Sequence, residues 1–298
     1  MLRPIVVGLD GSRESVAAAD WAAREALLRG LPLHVMHAWE GLPSGEEPVS
    51  LPELAVPRCR AQRILRYAVD HLDENHPQVP VTAEQIRESP VPALLAAAKN
   101  AELLALGNQG FGGLGGLLAG SVAMAVVARA RTPVVLVRAG SDAVDEHVPN
   151  GSHEASATTP YRPVVVAVDL HHACDPLLAF AFEAARHRAA PLHVVHAWRL
   201  PNTRGGTDEQ GHVPTQRDAE WVLESVLEPW KDKYPQVVVH ATAEHGRPVP
   251  AVSRAARYAG LLVLGREVRH GVLGSRTGHV AHMAIHQVCC PVAVVAHE

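Results

Sequence analysis

Leu31-Pro-Leu-His-Val-Met-His-Ala-Trp39 returns as Ala190-Pro-Leu-His-Val-Val-His-Ala-Trp198, 159 positions further along the chain. Gly30 and Pro32 form the usual punctuation at the end of a helix, and Leu33 to Ala38 is the apolar run that follows. The stretch therefore reads as a helix terminus feeding a buried strand, and the chain contains that junction twice.

The rest of the sequence falls into the same register. Pro77-Gln-Val79 recurs as Pro235-Gln-Val237, Pro90-Val-Pro-Ala93 as Pro248-Val-Pro-Ala251, and Leu103-Leu-Ala-Leu-Gly107 as Leu261-Leu-Val-Leu-Gly265. Thr132-Pro-Val-Val135 matches Cys290-Pro-Val-Ala293. From Pro77 onward the offset is 158, one less than before, so the copies differ by a single residue in the middle. Two copies of this length mean duplicated domains rather than a solenoid. The expected domains are residues 1–140 and 161–298. Residues 141–160, rich in Ser, Thr, Asp and Glu and without apolar periodicity, read as a linker.

Each copy alternates short apolar runs with helical patterns. Pro4 to Leu9 is a continuous apolar run of the kind found in buried parallel strands. Ser12 to Arg29 is expected to be helical, with Val16, Ala19, Ala23, Ala26 and Leu27 near one face. Further strands are expected at Leu33 to Ala38, Val79 to Ile86, Leu103 to Leu106 and Pro133 to Val137. The intervening helices are Glu53 to Asp73, Pro90 to Asn100 and Ser121 to Ala130. The prolines of the second of these fall in its first turn, where a missing N–H costs little. This alternation defines the α/β class, with a parallel sheet covered on both faces.

Composition removes several functions. Hydrophobic residues make up 47% and charged residues 19%, so the chain is globular and not disordered. A net charge of −4 and only 4% aromatic residues exclude nucleic acid as the expected partner, since a phosphate backbone needs a basic face and bases need stacking platforms. Cys59, Cys174, Cys289 and Cys290 are too few and too irregularly spaced for a disulfide framework or a zinc site, and the vicinal pair Cys289-Cys290 reads as small buried hydrophobes rather than a redox pair. The 19 histidines form no ligand cluster at metal spacing, so no dedicated metal site is expected. Leu103 to Ala128 lacks charge, but its glycines favour loops, and no membrane span is expected. Met1 to Ser12 enters a strand at once, without a secretory leader, and a cytoplasmic location follows.

In a doubly wound sheet, ligands bind beyond the carboxyl ends of the strands where the strand order reverses. Asp10-Gly11-Ser12 follows the first strand. Gly107-Asn-Gln-Gly110 follows the fourth, and Gly120-Ser121 opens the next helix. Glycines at 107 and 110 are expected to let the loop turn with positive φ and bring N–H groups to a ligand, and Gly120 to do the same at the helix entrance. The free N–H groups there favour an anion, and Ser121 adds a hydroxyl. Asp10 is an acceptor for a ribose or adenine donor, a Mg2+ ligand, or a simple helix cap. Gly110-Phe-Gly-Gly-Leu-Gly115 spells a dinucleotide fingerprint but lacks its acidic partner, and no P-loop lysine is present.

Gly107-x2-Gly110-x9-Gly120-Ser121 resembles the glycine pattern of ATP-binding universal stress proteins. Ile5-Val-Val-Gly8-Leu-Asp10-Gly11-Ser12, His37-Ala38 and Thr132-Pro-Val resemble the same family. The resemblance covers both copies. It implies two tandem Rossmann-like (HUP-type) domains, each a five-stranded parallel sheet of order 3-2-1-4-5 flanked by helices. It also implies ATP, with Mg2+, as ligand of the first copy. Asp10 would meet the sugar, Ala38 the adenine edge, and Gly107, Gly110, Gly120, Ser121 and the Val122 N–H the phosphates. Gly8, Gly11 and Ser12 complete the expected set. Family members pair domains along the fifth strand, so Val134 to Val137 and Val292 to Val295 imply an intrachain pseudo-twofold, with a homodimer of chains expected.

The second copy departs from the pattern. At the second glycine stands Val268, and at the serine stands His279. A β-branched residue resists positive φ and covers backbone. Arg266, Arg269, Arg276 and His279 are left either to attract an anion by charge alone or to serve as solvated surface, and ATP binding is expected to be weakened or lost. The function expected is that of a regulatory ATP-binding stress protein without catalytic residues. A nucleotide-independent scaffold and a slow ATPase are the alternatives, since no base and charge clamp for the γ-phosphate is evident.

Overall fold

The computed structural model describes residues 2–40, 52–108, 120–199, 215–268 and 278–298. The chain divides into two compact units, Met1–Asp142 and Ala143–Glu298.

In the first unit the order of elements is β1 (Ile5–Gly8), α1 (Arg13–Arg29), β2 (Leu33–Ala38), α2 (Pro52–Asn75), β3 (Val81–Ile86), α3 (Pro90–Ala98), β4 (Leu103–Asn108), α4 (Ser121–Val127) and β5 (Val134–Arg138). All strand pairs are parallel, and the strands lie in the order β3-β2-β1-β4-β5. Ile5 faces Leu33 on one side and Leu103 on the other, and Gly8 faces Met36 and Leu106. At their carboxyl ends β2 and β4 run two residues past β1, and the chain reverses direction across the sheet between β1 and β4. Strand interiors read as unbroken apolar runs because both faces are covered, and Leu103, Leu104, Ala105, Val135 and Val137 are fully buried.

Local chemistry sets the helix ends. Ser12 caps α1 by accepting from the Ser15 N–H at 3.1 Å, and Gly30 closes it in the left-handed conformation at φ 65°. Ala18, Ala19, Ala22, Ala23 and Ala26 let α1 lie close on the sheet, with Trp21 buried among them. Leu27, expected on the packed face, is 42% exposed, since the alanine stripe defines a narrower contact.

The second unit repeats the plan with β6 (Val164–Val168), α5 (Asp175–Arg188), β7 (Leu192–Trp198), α6 (Gln216–Lys233), β8 (Val239–His245), α7 (Pro248–Ala255), β9 (Leu261–Glu267), α8 (His279–Gln287) and β10 (Val292–His297). Its parallel strands run β8-β7-β6-β9-β10, the same winding. Residues 143–160 belong to this unit. They carry a 3-10 turn at Ala143–Glu146 and an antiparallel bridge between His147 and Tyr161. One difference bears on function. Arg29 and Arg188 end α1 and α5 at equivalent positions, but α5 starts at Asp175, three residues after the counterpart of Arg13. Its first turn is missing, and Cys174 at its start makes no side-chain cap.

All four cysteines are free thiols; Cys59 is exposed on α2, and Cys289, expected to be buried, is exposed in the turn before β10. No described helix is long and apolar enough to cross a membrane.

Candidate functional site

The carboxyl ends of β1, β2 and β4 form the floor of a cavity of about 240 Å3 in the first unit. Each wall has a local cause. At Gly8 a Cβ would stand 2.6 Å from Leu94 Cδ2, so glycine lets α3 close over the end of β1. Asp10 follows, and its Oδ1 accepts from the Ser12 N–H at 2.8 Å. Burial would raise this carboxyl, but hydrogen bonds from Ser12 and Ser15 outweigh it and hold Asp10 below the usual carboxylate range. Asp10 therefore stays an anion and an acceptor at the cavity mouth. Gly11 turns the chain into α1 at φ 83°, a conformation an L side chain resists, with Ile64 of α2 packed over it.

On the β4 side, Gly107 is required for a reason other than the one expected. Neither it nor Gly120 has positive φ. A Cβ on Gly107 would lie 2.6 Å from the Glu14 carbonyl carbon and 2.6 Å from the Ser15 nitrogen. The glycine thus admits the first turn of α1 onto the strand. Gly120, at φ −46°, has open space where a Cβ would point. Behind it α4 begins without any side-chain cap, so its first N–H groups lack partners within the helix.

Of the expected residues, Gly8, Asp10, Ala38, Gly107, Gly120, Ser121 and Val122 line the one cavity. Gly11 and Ser12 do not. Ser12 is occupied as the α1 cap and Gly11 shapes the turn, so both position the site from behind. Gly110 lies outside the described residues. The sequence reading missed Ser15, Met36, Pro90 and Leu94, which also line the cavity. Three of these were findable by period: Met36 shares one face of β2 with the expected Ala38, and Pro90 and Leu94 are four apart on α3. Among the described lining residues, Asp10 carries the only ionisable side chain. The described lining pairs apolar surface from Met36 and Leu94 with the Asp10 carboxylate and the start of α4, and contains no cation.

Every described position lining this cavity has its counterpart lining a second cavity, of about 590 Å3, in the second unit. There Ala167, Asp169, Ala197, Gly265, Gly278 and His279 stand for Gly8, Asp10, Ala38, Gly107, Gly120 and Ser121. Arg266, expected to attract an anion, is 2% exposed and does not line it: its place on β9 turns it to the other face. Arg269 and Arg276 lie outside the described residues.

A parallel α/β sheet wound both ways from its middle, with a glycine-walled cleft at the switch point, places each unit in the doubly wound, Rossmann-like class of fold. The universal stress protein family model matches residues 1–138 and 160–296, and the chain belongs to that family. It is 32% identical over 301 residues to universal stress protein Rv2005c of Mycobacterium tuberculosis, covering 97% of this chain and 96% of the relative. A universal stress protein of Mycolicibacterium smegmatis is 30% identical over 304 residues, with 98% and 96% covered. In structure, the chain is similar to a universal stress protein from Archaeoglobus fulgidus, with a TM-score of 0.70 over 99% of this chain and 98% of that one, at 16% identity.

Proposed function

We propose that this chain is a stress-response regulator that holds one ATP in its first unit and acts through occupancy rather than turnover. The observation that carries the reading is the junction of Gly120 and α4. Uncapped helix N–H groups stand beside a glycine whose missing Cβ leaves open space, at the mouth of a cleft with a single carboxylate. Unpaired N–H groups and the positive end of a helix favour a phosphate.

In this reading the nucleoside end enters between Met36 and Leu94. Asp10 accepts from a ribose hydroxyl, and the backbone at Ala38 meets the adenine edge. The phosphates run past Gly107, Gly120, Ser121 and the Val122 N–H toward Gly110. Mg2+ would arrive as the counter-ion of the triphosphate. Among the described residues no cluster of three ligating side chains could hold it alone, and Mg2+ commonly relies on substrate phosphates plus one or two carboxylates.

The test is to denature the purified chain and identify the released nucleotide with its molar ratio. Adenine nucleotide near one per chain is expected. Protein that emerges empty and takes up no added ATP would leave the scaffold reading instead.

A further inference from the structure

The second helix of each unit has kept its packing and exchanged its surface. Aligned by their ends at Asn75 and Lys233, α2 and α6 follow the offset of 158, and the buried Leu65 falls in register with the buried Leu223. At the same offset Arg60 becomes Asp218, Arg63 becomes Trp221 and Arg66 becomes Glu224. We propose that these two faces bind each other between copies of this chain, with Trp221 of one copy entering a groove beside α2 of another. This holds whether or not the first cavity takes ATP.

The groove has a volume of about 280 Å3 and lies between α1 and α2. Leu9, Gly11, Val16, Ile64 and Tyr67 line it together with Arg63. Gly11 and the first turn of α1 supply one wall. The second unit has no such wall, because Leu170 stands where Gly11 does and the first turn of α5 is missing. It has a knob instead: Trp221 is 71% exposed, with Val222 exposed beside it. Docking an indole takes about 150–250 Å2 of surface out of water, and Trp, Tyr and Arg are the side chains that most often anchor interfaces. The groove offers the exposed Tyr67 ring and the Arg63 guanidinium, which stacks well on an indole.

The charges match the shapes. Between residues 58 and 69, α2 carries Arg58, Arg60, Arg63 and Arg66 and no acid. The equivalent stretch of α6, residues 216–227, carries Asp218, Glu220 and Glu224 against Arg217. Asp218 accepts from Thr215 and Glu220 from Gln216, which leaves both carboxylates their charge, while Glu224 pairs with Lys231. Arg60, Arg63 and Arg66 are exposed, and among the described residues none has an ion-pair partner. Each helix carries one prevailing sign on both sides of its centre, so opposite charges meet whichever way the helices cross. Two α2 faces repel, and so do two α6 faces, so each face selects the other. Exposed ion pairs add little energy; they choose the partner while Trp221 supplies the affinity. Every copy carries both faces, so the contact closes a dimer where it is reciprocal and extends into longer assemblies where it is not.

Sedimentation velocity on the full chain, from about 1 to about 100 μM, reads the association expected of so small an interface. The sedimentation coefficient should rise with concentration, and the rise should shrink between about 50 and about 500 mM salt. Trp221→Arg gives α6 the residue that α2 has, and Arg63→Glu reverses the charge in the groove; both positions are exposed, and circular dichroism confirms each fold. Each variant alone should self-associate roughly tenfold more weakly or worse. An equimolar mixture of the two should associate again, because the first keeps its groove and the second keeps its tryptophan. The proposal is overturned if the parent stays monomeric throughout, if its association ignores salt, if Trp221→Arg associates as the parent does, or if the mixed variants stay apart.

Discussion

The His37 Nδ1 lies 2.7 Å from the Leu9 carbonyl oxygen, and the His196 Nδ1 repeats the contact on Val168 at 3.1 Å. A carbonyl can only accept, so each ring carries its proton on Nδ1 and donates it. Both rings are buried, and each pins the residue that precedes the cleft aspartate, Asp10 or Asp169. His37→Phe keeps the ring volume and removes the donor. It should cost about 1–3 kcal/mol, the usual penalty for a buried acceptor left unpaired, and should weaken ATP uptake because Asp10 loses its anchor. Urea unfolding and a binding titration check both, and unchanged stability would show that the carbonyl finds another donor.

Gly107 and Gly265 occupy equivalent places but should respond differently to the same change. In Gly107→Ala the new methyl meets the backbone of Glu14 and Ser15, which cannot swing away. The first turn of α1 must shift, at a cost of about 1–3 kcal/mol or more. In Gly265→Ala the methyl meets the His297 ring, which can change rotamer. Thermal melts of the two variants should therefore separate, with Gly107→Ala the lower. Equal losses would mean that the His297 ring is as fixed as a helix backbone.

These glycines also mark how far the sequence could be read. The strands and their parallel direction were legible because apolar runs between helical patterns admit one kind of sheet, and Leu33 to Ala38 falls on β2 without adjustment; their order came from the family resemblance. Gly107 and Gly120 both line the candidate cavity, yet neither has the positive φ expected of it. A glycine required by the close approach of a distant helix looks the same in sequence as one required by positive φ. The loss of the first turn of α5 was equally hidden. His172, Ala173 and Cys174 contain no proline or glycine, but His171 stands where Ser12 caps α1, and the shortened helix starts after Cys174 without a side-chain cap. Arg266 was read as a surface cation because its type is usually exposed, whereas strand alternation turns it inward.

Gly120→Val tests the phosphate end directly. With no described residue within 4 Å of the added Cβ, the fold should be retained, while the branched side chain fills the space beside the α4 N–H groups. ATP binding should fall by at least a hundredfold with a melting temperature within a few degrees of the parent, since an exposed-site change costs little stability. Undiminished affinity would place the phosphates elsewhere.

Ala189 closes α5 at φ 48°, in the role that Gly30 plays for α1 at φ 65°. An L residue pays about 1–2 kcal/mol in that region, and glycine gives back roughly 0.5–1 kcal/mol through its greater freedom when unfolded. Ala189→Gly should accordingly stabilise the second unit by about 0.5–1 kcal/mol, read as a higher denaturant midpoint with an unchanged slope. A lower midpoint would mean that the Ala189 methyl makes contacts worth more than the strain.

Asp20 on α1 ties down the end of α2 by accepting from the His71 Nε2 at 2.9 Å and the His76 Nε2 at 3.2 Å. Asn75 Nδ2 donates to the His71 carbonyl and lies 3.2 Å from the His71 Nδ1, which leaves Nε2 as the protonated nitrogen facing Asp20. Burial would raise the Asp20 carboxyl, but the hydrogen bonds from His76 and His71, with the charge these rings can carry, hold it below the usual carboxylate range. A carboxyl with a depressed folded-state value stabilises the fold fully above its unfolded value of about 3.9 and loses that contribution as the pH falls through the folded value. The stability gap between the parent and Asp20→Asn should thus be constant near neutrality and narrow below about pH 4, because the unfolded chain takes up the proton first. Unfolding free energies measured from roughly pH 6 down to pH 2 give the curve. A gap that stays constant through the acid range would show that the two imidazoles hold α2 to α1 without the Asp20 charge.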